Sequence, residues 1–180
     1  MLNNLNIFYK KKILIYGLGK SGLSVFKFLK KDNKITVYDD KIKAYNKKIT
    51  KITFDYIIIS PGIDVNKCSL SNFLKINSKK IYTDLDIFYN HHKENNKITI
   101  TGTNGKSTTA KILYDVLKDQ KVDVRLVGNI GNPILLEKKV TNKTIFVIEA
   151  SSYQLEYSKL FRSNLSLILN ISPDHLERHK

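Results

Sequence analysis

The sequence predicts an α/β fold built on parallel sheets, and three observations support this. Short runs rich in isoleucine and valine alternate with longer segments that carry one apolar face. Two strand-to-helix junctions are rich in glycine, at Gly17–Gly22 and at Gly102–Gly105. Polar residues such as Asp39 and Glu149 follow directly after predicted strands. Repeated strand–helix–strand units form parallel sheets covered by helices, and such sheets bind ligands at the carboxyl ends of their strands.

The composition limits the classes of protein to consider. With 180 residues, of which 42% are hydrophobic, the chain is long enough for one full domain or two small ones. Its net charge of +15 comes almost entirely from scattered lysines rather than from a basic helix interleaved with aromatic residues, so we expect no nucleic-acid partner. We expect no membrane span, since no apolar run reaches about 20 residues. A single cysteine, Cys68, and an N-terminus without a signal peptide fit a cytoplasmic protein.

The first glycine-rich junction indicates a Rossmann-like unit. We predict a strand at 12–16, a helix at about 21–31 and a second strand at 34–38. The G-x-G-x-x-G spacing after the first strand is formed by Gly17, Gly19 and Gly22, with Lys20 and Ser21 between the last two. Asp39 follows the second strand, where an acidic residue of such a unit meets a ribose hydroxyl. The pattern favours a site for a nucleotide diphosphate, although an NAD site or a turn that serves only close packing would have the same spacing.

The rest of this half should contain two more strands and two more helices. The strands are predicted at 55–60 and 80–82, and the helices at 67–75 and 84–92. The first of these strands leads into Ser60, Pro61 and Gly62, at the edge where an open sheet binds its ligand. The polar stretch Lys93–Asn96 lies directly before the next strand. We therefore expect a Rossmann-like domain over 1–93 and a second domain over 94–180.

The second glycine-rich junction indicates a phosphate-binding loop. A strand at 98–100 is followed by a glycine turn and by a helix that starts near Lys106. The loop and the first helical turn consist of Gly102, Thr103, Asn104, Gly105, Lys106, Ser107 and Thr108. In such loops backbone N–H groups hold phosphate oxygens, the lysine reaches the β- and γ-phosphates, and the serine binds Mg²⁺. Because Ile100 occupies the position of the usual first glycine, an ordinary strand–turn–helix corner is the alternative.

The remaining segments supply two further candidate residues. The elements predicted here are strands at 122–127, 143–148 and 165–169 and a short helix from Pro133. Glu149 follows the second of these strands, where a carboxylate of a phosphate-loop protein commonly holds the metal ion. His175 lies next to Asp174 beyond the last strand and could bind a second Mg²⁺ or orient a substrate.

Together these motifs resemble those of the Mur ligases, the ATP-dependent enzymes that add amino acids to the peptidoglycan precursor. The motifs are TGTNGKST, GLGKSG, SPGI, GNIGNP, EASSYQLE and NISPDHLERH. The last two are the most discriminating and are similar to the branch of the family that adds D-glutamate. The implied fold is a Rossmann-like N-terminal domain followed by the first part of the family's central phosphate-loop ATPase domain.

The resemblance implies a role for each matching position. The residues that would bind ATP are Gly102, Thr103, Asn104, Gly105, Lys106, Ser107 and Thr108. The residues that would bind a UDP-linked substrate, rather than NAD, are Gly17, Gly19, Lys20, Ser21, Gly22, Asp39, Ser60, Pro61 and Gly62, with Asn129 and Ser151 on its muramoyl-alanine arm. The implied metal ligands are Ser107, Glu149 and His175, and the implied catalytic residues are Lys106, Glu149 and His175.

The resemblance also implies a reaction and a limit. The substrates would be UDP-N-acetylmuramoyl-L-alanine and D-glutamate, with ATP and Mg²⁺ as cofactors. The alanyl carboxylate would become an acyl phosphate, which the amine of D-glutamate then attacks. Family members are much longer, and a carboxylated lysine and a third domain would lie beyond Lys180. We therefore expect these 180 residues alone to bind nucleotides without completing the ligation, as a non-catalytic nucleotide-binding fragment or subunit would.

Overall fold

The computed structural model describes residues 6–42, 48–174 and 176–178. The strands among these residues are β1 (Lys12–Tyr16), β2 (Lys34–Tyr38), β3 (Tyr56–Ile59), β4 (Ile81–Tyr82), β5 (Asn96–Thr101), β6 (Val124–Gly128), β7 (Ile145–Glu149) and β8 (Leu165–Ile168). The helices are α1 (Lys20–Leu29), α2 (Ser71–Ile76), α3 (Asp84–His91), α4 (Lys106–Asp119) and α5 (Ser152–Glu156).

These strands form two parallel sheets of four strands each. The strand order is β2-β1-β3-β4 in the first sheet and β6-β7-β5-β8 in the second. Neighbouring strands pair in parallel throughout both sheets. Parallel neighbours need long crossover connections, and the helices lie within those connections. The predicted α/β fold with parallel sheets is confirmed.

The central strands are apolar along most of their length because a parallel sheet is covered on both faces. In β1 the run Ile13–Tyr16 is fully buried, and Ile57, Ile58 and Ile59 of the neighbouring β3 are almost fully buried. Isoleucine and valine are stiff at the first side-chain torsion and pack well on a pleated surface. Each such side chain stabilises the fold by about 1.5–3 kcal/mol through burial.

Helix α3 joins the cores of the two sheets. Its Phe88 meets Phe146 of β7 edge to face, with the ring centroids 4.8 Å apart. The fully buried Asp86 accepts the Thr83 N–H at 2.8 Å, which caps the start of α3. The other carboxylate oxygen of Asp86 accepts N–H groups of the segment that follows α5, from Lys159, Leu160 and Phe161. These donors offset the cost of burying a carboxylate, and they tie α3 to the second sheet.

Two predicted helices differ from the structure. The short helix predicted from Pro133 is wrong: the Leu136 N–H donates to the Pro133 carbonyl at 2.8 Å, and the chain makes one turn that does not continue. Ile134 and Leu135 of this turn are buried, so core packing rather than helix propagation fixes the segment. The helix predicted over 67–75 is α2, which begins later, because the preceding residues form turns on Asp64, whose carbonyl accepts the Cys68 N–H.

Exposed apolar side chains in the second half of the chain include residues of the edge strand β8 and of helix α4. Leu165 and Ile168 of the edge strand β8 are 56% and 65% exposed. Helix α4 adds Ile112 and Val116, which are also more than half exposed. Among the described residues no helix combines the length and the apolar character needed to span a membrane.

Candidate functional site

The turn between β5 and α4 adopts backbone angles that favour glycine. Gly102 and Gly105 have φ values of 138° and 83°. A Cβ on Gly102 would lie 3.0 Å from the carbonyl oxygen of Asn170, so this glycine also permits a close approach. Gly105 is the N-cap of α4, and no side chain of the described residues caps that end of the helix. The first helical turn, which includes Ser107 and Thr108, therefore offers uncapped N–H groups to an anion.

The side chain of Lys106 folds back over this loop. Its Nζ donates to the carbonyl oxygens of Gly102 at 2.6 Å and Thr103 at 2.8 Å. An ammonium group has three donors, so a third is left for a ligand. The two carbonyl bonds hold the positive charge at the loop itself, where a phosphate group would need it.

Asn170, which follows β8, fixes the loop from the neighbouring chain segment. Its side-chain oxygen accepts the Asn104 N–H at 2.9 Å, and its amide donates to the Asn104 carbonyl at 3.0 Å. Its backbone carbonyl accepts the Thr103 N–H at 3.1 Å. Sequence reasoning did not select this residue as part of the site. The available signal was a polar residue just after a strand, which does not distinguish a residue that binds ligand from one that shapes a loop.

Among the described residues, one buried carboxylate oxygen lacks a hydrogen-bond partner, and it is Oε2 of Glu149. Glu149 ends β7 in register with Ile100 of β5, two residues before the phosphate loop. The side chain is 1% exposed, and Oε1 accepts the amide of Asn129 at 3.1 Å, whereas Oε2 has no donor among those residues. A buried carboxylate oxygen without a donor is costly. A carboxylate and a serine hydroxyl are oxygen ligands of the kind that Mg²⁺ takes, so Glu149 and Ser107 fit that ion.

A cavity of about 570 Å³ lies beside the loop. Lys106 lines it from the loop, and Ser151 and Tyr153 line it from the start of α5. Ser151 is held in place as the helix cap, since its N–H donates to Gln154 Oε1 at 3.0 Å and its Oγ accepts the Gln154 N–H at 3.3 Å. The predicted ATP position Lys106 and the predicted substrate position Ser151 therefore share one cavity.

The glycine turn after β1 is closed by its own packing. Gly17 has a φ of 90°, and its carbonyl accepts the hydroxyl of Ser60 at 2.8 Å. A Cβ on Gly22 would lie 1.8 Å from the same carbonyl oxygen. Close packing therefore accounts for Gly17 and Gly22 without a ligand. Gly19 is different, because a Cβ there would meet no atom of the described part of the chain within 4 Å.

The other predicted residues of this turn lie around it. Lys20 and Ser21 begin α1, and the hydroxyl of Ser21 hydrogen-bonds to Asp84. Burial raises the pKa of the Asp84 carboxyl. Pro61 and Gly62 follow β3 in a turn that the Ile63 N–H closes by donating to the Ser60 carbonyl at 3.0 Å.

The predicted acidic residue Asp39 braces the turn. Its carboxylate accepts the Leu18 N–H at 2.7 Å and the Lys41 N–H at 2.9 Å. The next residue, Asp40, accepts the phenol of Tyr16 at 2.6 Å. Burial raises the pKa of Tyr16, which keeps this phenol a hydrogen-bond donor. The sequence predicted a ribose contact for Asp39 and did not indicate that its carboxylate would support the glycine turn.

The structure thus brings the predicted residues together in two groups, one on each sheet. Lys106 and Ser151 share the cavity, and Glu149 with its partner Asn129 lies at the end of the neighbouring strand. The prediction for His175 falls outside the described residues.

Comparison with known protein families matches residues 100–180 to the Mur ligase middle domain. Over 98% of its length the chain is 36% identical to the UDP-N-acetylmuramoylalanine–D-glutamate ligase of Rickettsia felis, and it covers 42% of that protein. It is 36% identical to the ligase of the same name from Caldicellulosiruptor saccharolyticus, over 95% of this chain and 42% of the relative. It is 39% identical to the ligase of the same name from Francisella tularensis subsp. tularensis, over 94% of this chain and 41% of the relative. The chain spans about two-fifths of the length of these curated relatives.

Solved structures of two proteins share the fold. One is the UDP-N-acetylmuramate:L-alanyl-γ-D-glutamyl-meso-diaminopimelate ligase from Neisseria meningitides, with a TM-score of 0.55 and 15% identity over 95% of this chain and 64% of that one. The other is the UDP-N-acetylmuramate–alanine ligase from Thermotoga maritima, with a TM-score of 0.51 and 21% identity over 94% of this chain and 43% of that one. At these identities the likeness concerns the fold alone.

Proposed function

We propose that this chain, which matches the Mur ligase middle domain over residues 100–180, forms the nucleotide-binding part of an ATP-dependent ligase that joins D-glutamate to UDP-N-acetylmuramoyl-L-alanine in peptidoglycan precursor synthesis. The observation that carries this proposal is the 36% identity with a D-glutamate ligase across 98% of the chain. The similarity covers 42% of that relative. We therefore assign ligation to the whole ligase, and the binding of ATP and the UDP-linked substrate to these residues.

We propose a division of this work between two domains, 1–93 and 94–180. Strands β1–β4 lie before the proposed boundary and strands β5–β8 lie after it. Each domain would therefore contain one sheet. The first would bind UDP and the second ATP. Since both substrates are soluble nucleotides, we place the reaction in the cytoplasm.

ATP would lie with its phosphates on the turn between β5 and α4. The uncapped N-terminus of α4 favours negative charge there. Lys106 has a donor left after its two carbonyl bonds, and it would give that donor to the β- and γ-phosphates. Gly102 to Gly105 would let the phosphate oxygens approach the backbone closely.

Ser107 and Glu149 would hold Mg²⁺ next to these phosphates. The support is the Glu149 Oε2 atom, which is buried without a donor among the described residues. Asn129 would keep the carboxylate aimed by donating to Oε1. When bound, the ion would supply positive charge that eases attack at the γ-phosphorus. We retain His175 as a proposed ligand of a second ion.

The UDP part of the second substrate would bind at the carboxyl edge of the first sheet. Its diphosphate would lie at the glycine turn, near the open space beside Gly19 and the start of α1. Asp39, which accepts the Leu18 N–H, would lie at the uracil-ribose end of this site. Ser60, Pro61 and Gly62 would line the same pocket.

In the proposed reaction the alanyl carboxylate attacks the γ-phosphorus of ATP, and ADP leaves. Lys106 would stabilise the charge that builds on the transferring phosphoryl group. The amine of D-glutamate then attacks the acyl carbon, phosphate leaves, and the amine loses a proton as the amide forms. Ser151, in the same cavity as Lys106, would hold the alanyl arm in line with the phosphate.

The proposal is tested by completing the chain with the remaining C-terminal part of the Rickettsia felis relative and measuring ADP release. We expect release that requires both UDP-N-acetylmuramoyl-L-alanine and D-glutamate, with little or none for L-glutamate. Lys106→Met should lower the rate by about 100-fold or more, since it removes charge from the transferring phosphate.

Lys111→Met is the matched control, because Lys111 lies on the same helix, is 57% exposed and pairs with Asp115. Its rate should stay within about twofold of the wild-type value. Nucleotide binding without any ADP release by the completed chain would favour the alternative, a non-catalytic binding module. Equal use of another amino acid would refute the D-glutamate assignment.

A further inference from the structure

Arg178 forms a bridge between the two sheets at their ligand-binding edges. Its Nε and Nη2 atoms each lie 2.8 Å from Glu156 Oε2, at the end of α5. Nη1 donates to the Pro61 carbonyl at 3.0 Å, and Nη2 donates to the Ile63 carbonyl at 3.0 Å. The guanidinium carbon lies 4.5 Å from the centre of the Tyr153 ring. We call this group of contacts the arginine bridge.

The geometry of the bridge requires arginine. The planar guanidinium offers five donors in a fixed fork, whereas a lysine offers one point charge. Here the fork bonds to a carboxylate at the end of α5 and to two carbonyls of the turn after β3, while its face stacks on an aromatic ring. The side chain is 9% exposed, so its bonds are shielded from water and screened less than those of a surface pair.

Each end of the bridge continues into a ligand loop. On the first sheet, Pro61 and Ile63 belong to the turn that begins at Ser60, and the Ser60 hydroxyl holds the Gly17 carbonyl of the glycine turn. On the second sheet, Tyr153 lines the cavity that Lys106 also lines. The buried Asp86 joins the sheets elsewhere, since its bonds run from α3 to the segment that follows α5.

We propose that Arg178 is a positioning residue that couples the two nucleotide sites, so that a ligand at the glycine turn of the first sheet changes the affinity for ATP at the phosphate loop. This rests on the proposed function, because it takes both loops to be nucleotide sites. A ligand that fixes the Ser60–Ile63 turn would fix Arg178, and through it the Tyr153 ring in the wall of the cavity. Coupling of this kind is reciprocal and is commonly fivefold or more in affinity.

The test is isothermal titration of this chain with ADP and Mg²⁺, with and without saturating UDP-N-acetylmuramoyl-L-alanine. In the wild-type chain we expect the UDP ligand to tighten ADP binding by about fivefold or more. In Arg178→Met the change should fall below about twofold, and Arg178→Lys, which keeps the charge but loses the fork, should lie between them. A residue that served stability alone would lower the unfolding temperature and leave this ratio unchanged.

Arg162→Met is the matched control. Arg162 donates to the carbonyls of Lys159 and Phe161, within its own segment, and should keep the wild-type ratio. If both ligands bind and the ratio is the same in wild type and Arg178→Lys, or if wild type shows no coupling, the bridge proposal is overturned while the proposed function stands.

Failure of the wild-type chain to bind either ligand would instead count against the proposed function and against the coupling. Hydrogen exchange then decides whether the arginine bridge at least joins the two loops. Peptides covering 58–66 and 151–157 should both exchange faster in Arg178→Met and Arg178→Lys than in wild type. A change confined to 151–157, or no change, would show that Arg178 does not hold the first-sheet turn.

Discussion

The two glycine-rich turns occupy equivalent places, each between a parallel strand and a helix, yet they are held in different ways. The first is tightly packed, because a Cβ on Gly22 would come within 1.8 Å of the Gly17 carbonyl oxygen, and Ser60 and Asp39 brace it through hydrogen bonds. The second is open around Gly105, where a Cβ would meet its nearest atom, on Leu169, at an ordinary 3.5 Å. Its shape comes from Asn170, which is 66 residues away from its partner Asn104 in the sequence. Two similar sequence patterns therefore depend on different parts of the chain.

The largest expected effect is that of Gly22→Ala, which tests whether the first turn is closed by its own packing. The added methyl group would overlap a backbone oxygen, so the backbone or α1 must shift, at a cost of about 3 kcal/mol of unfolding free energy. Gly19→Ala is the matched control, since its Cβ enters open space, and it should cost about 1 kcal/mol or less. Urea unfolding followed by circular dichroism measures both. Equal losses would contradict the close-packed description.

The next effect is that of Asn170→Ala, which removes the side-chain part of the external support of the second turn. The variant loses both side-chain bonds to Asn104, and we expect ADP affinity to fall by about tenfold because the loop must be ordered when the ligand binds. Asn164→Ala is the control, since Asn164 accepts the Lys97 N–H at 2.9 Å at the other end of β8. Calorimetric titration with ADP and Mg²⁺ should find wild-type affinity in the control. A loss that is equal in both variants would mean that the fold, rather than the loop, is affected.

A third test asks whether the two turns lose their structure together. His92 packs between Phe88 of α3 and Phe146 of β7, and burial together with the nearby His91 and Lys97 lowers its pKa to about 4. The unfolded chain takes up this proton near its ordinary pKa of 6.5, so stability falls as the pH drops through the window between 6.5 and 4. From pH 7 to pH 5.5 we expect a loss of about 1 kcal/mol.

Urea unfolding at the two pH values measures this loss, and His92→Gln should remove most of it. Because His92 lies at the junction of the sheets, hydrogen exchange in peptides from both glycine turns should rise together on acidification. A rise in one turn alone would show that the sheets unfold separately.

Local sequence patterns were sufficient to predict the sheets but not the support of the loops. Runs such as KILIY and YIII specify buried parallel strands by their side chains alone, and the structure has strands there. The sequence pattern of a phosphate-binding loop was sufficient to select Gly102, Gly105 and Lys106. Asn170, Asp40 and Arg178 act through partners that are distant in the sequence, and no local pattern distinguishes them from ordinary polar residues. The helix predicted from Pro133 failed for a related reason, since burial of Ile134 and Leu135 in the core decided the conformation of that segment.

The smallest expected effect concerns the surface of α4, the helix that the second turn opens. Lys111 and Asp115 form an ion pair one helical turn apart, with Nζ and Oδ2 separated by 2.6 Å, and both side chains are about half exposed. Exposed pairs of this kind are screened by water and salt, and the order lysine before aspartate opposes the helix dipole. Asp115→Asn should therefore change the unfolding free energy by about 0.5 kcal/mol or less and leave ADP affinity unchanged. Comparing the ADP affinities of Asp115→Asn and Asn170→Ala by the same titration shows whether ADP binding depends on the contacts that hold the loop or on the stability of α4. An affinity loss in Asp115→Asn as large as that in Asn170→Ala would mean that the charge pattern of α4, and not the segment after β8, holds the phosphate loop in shape.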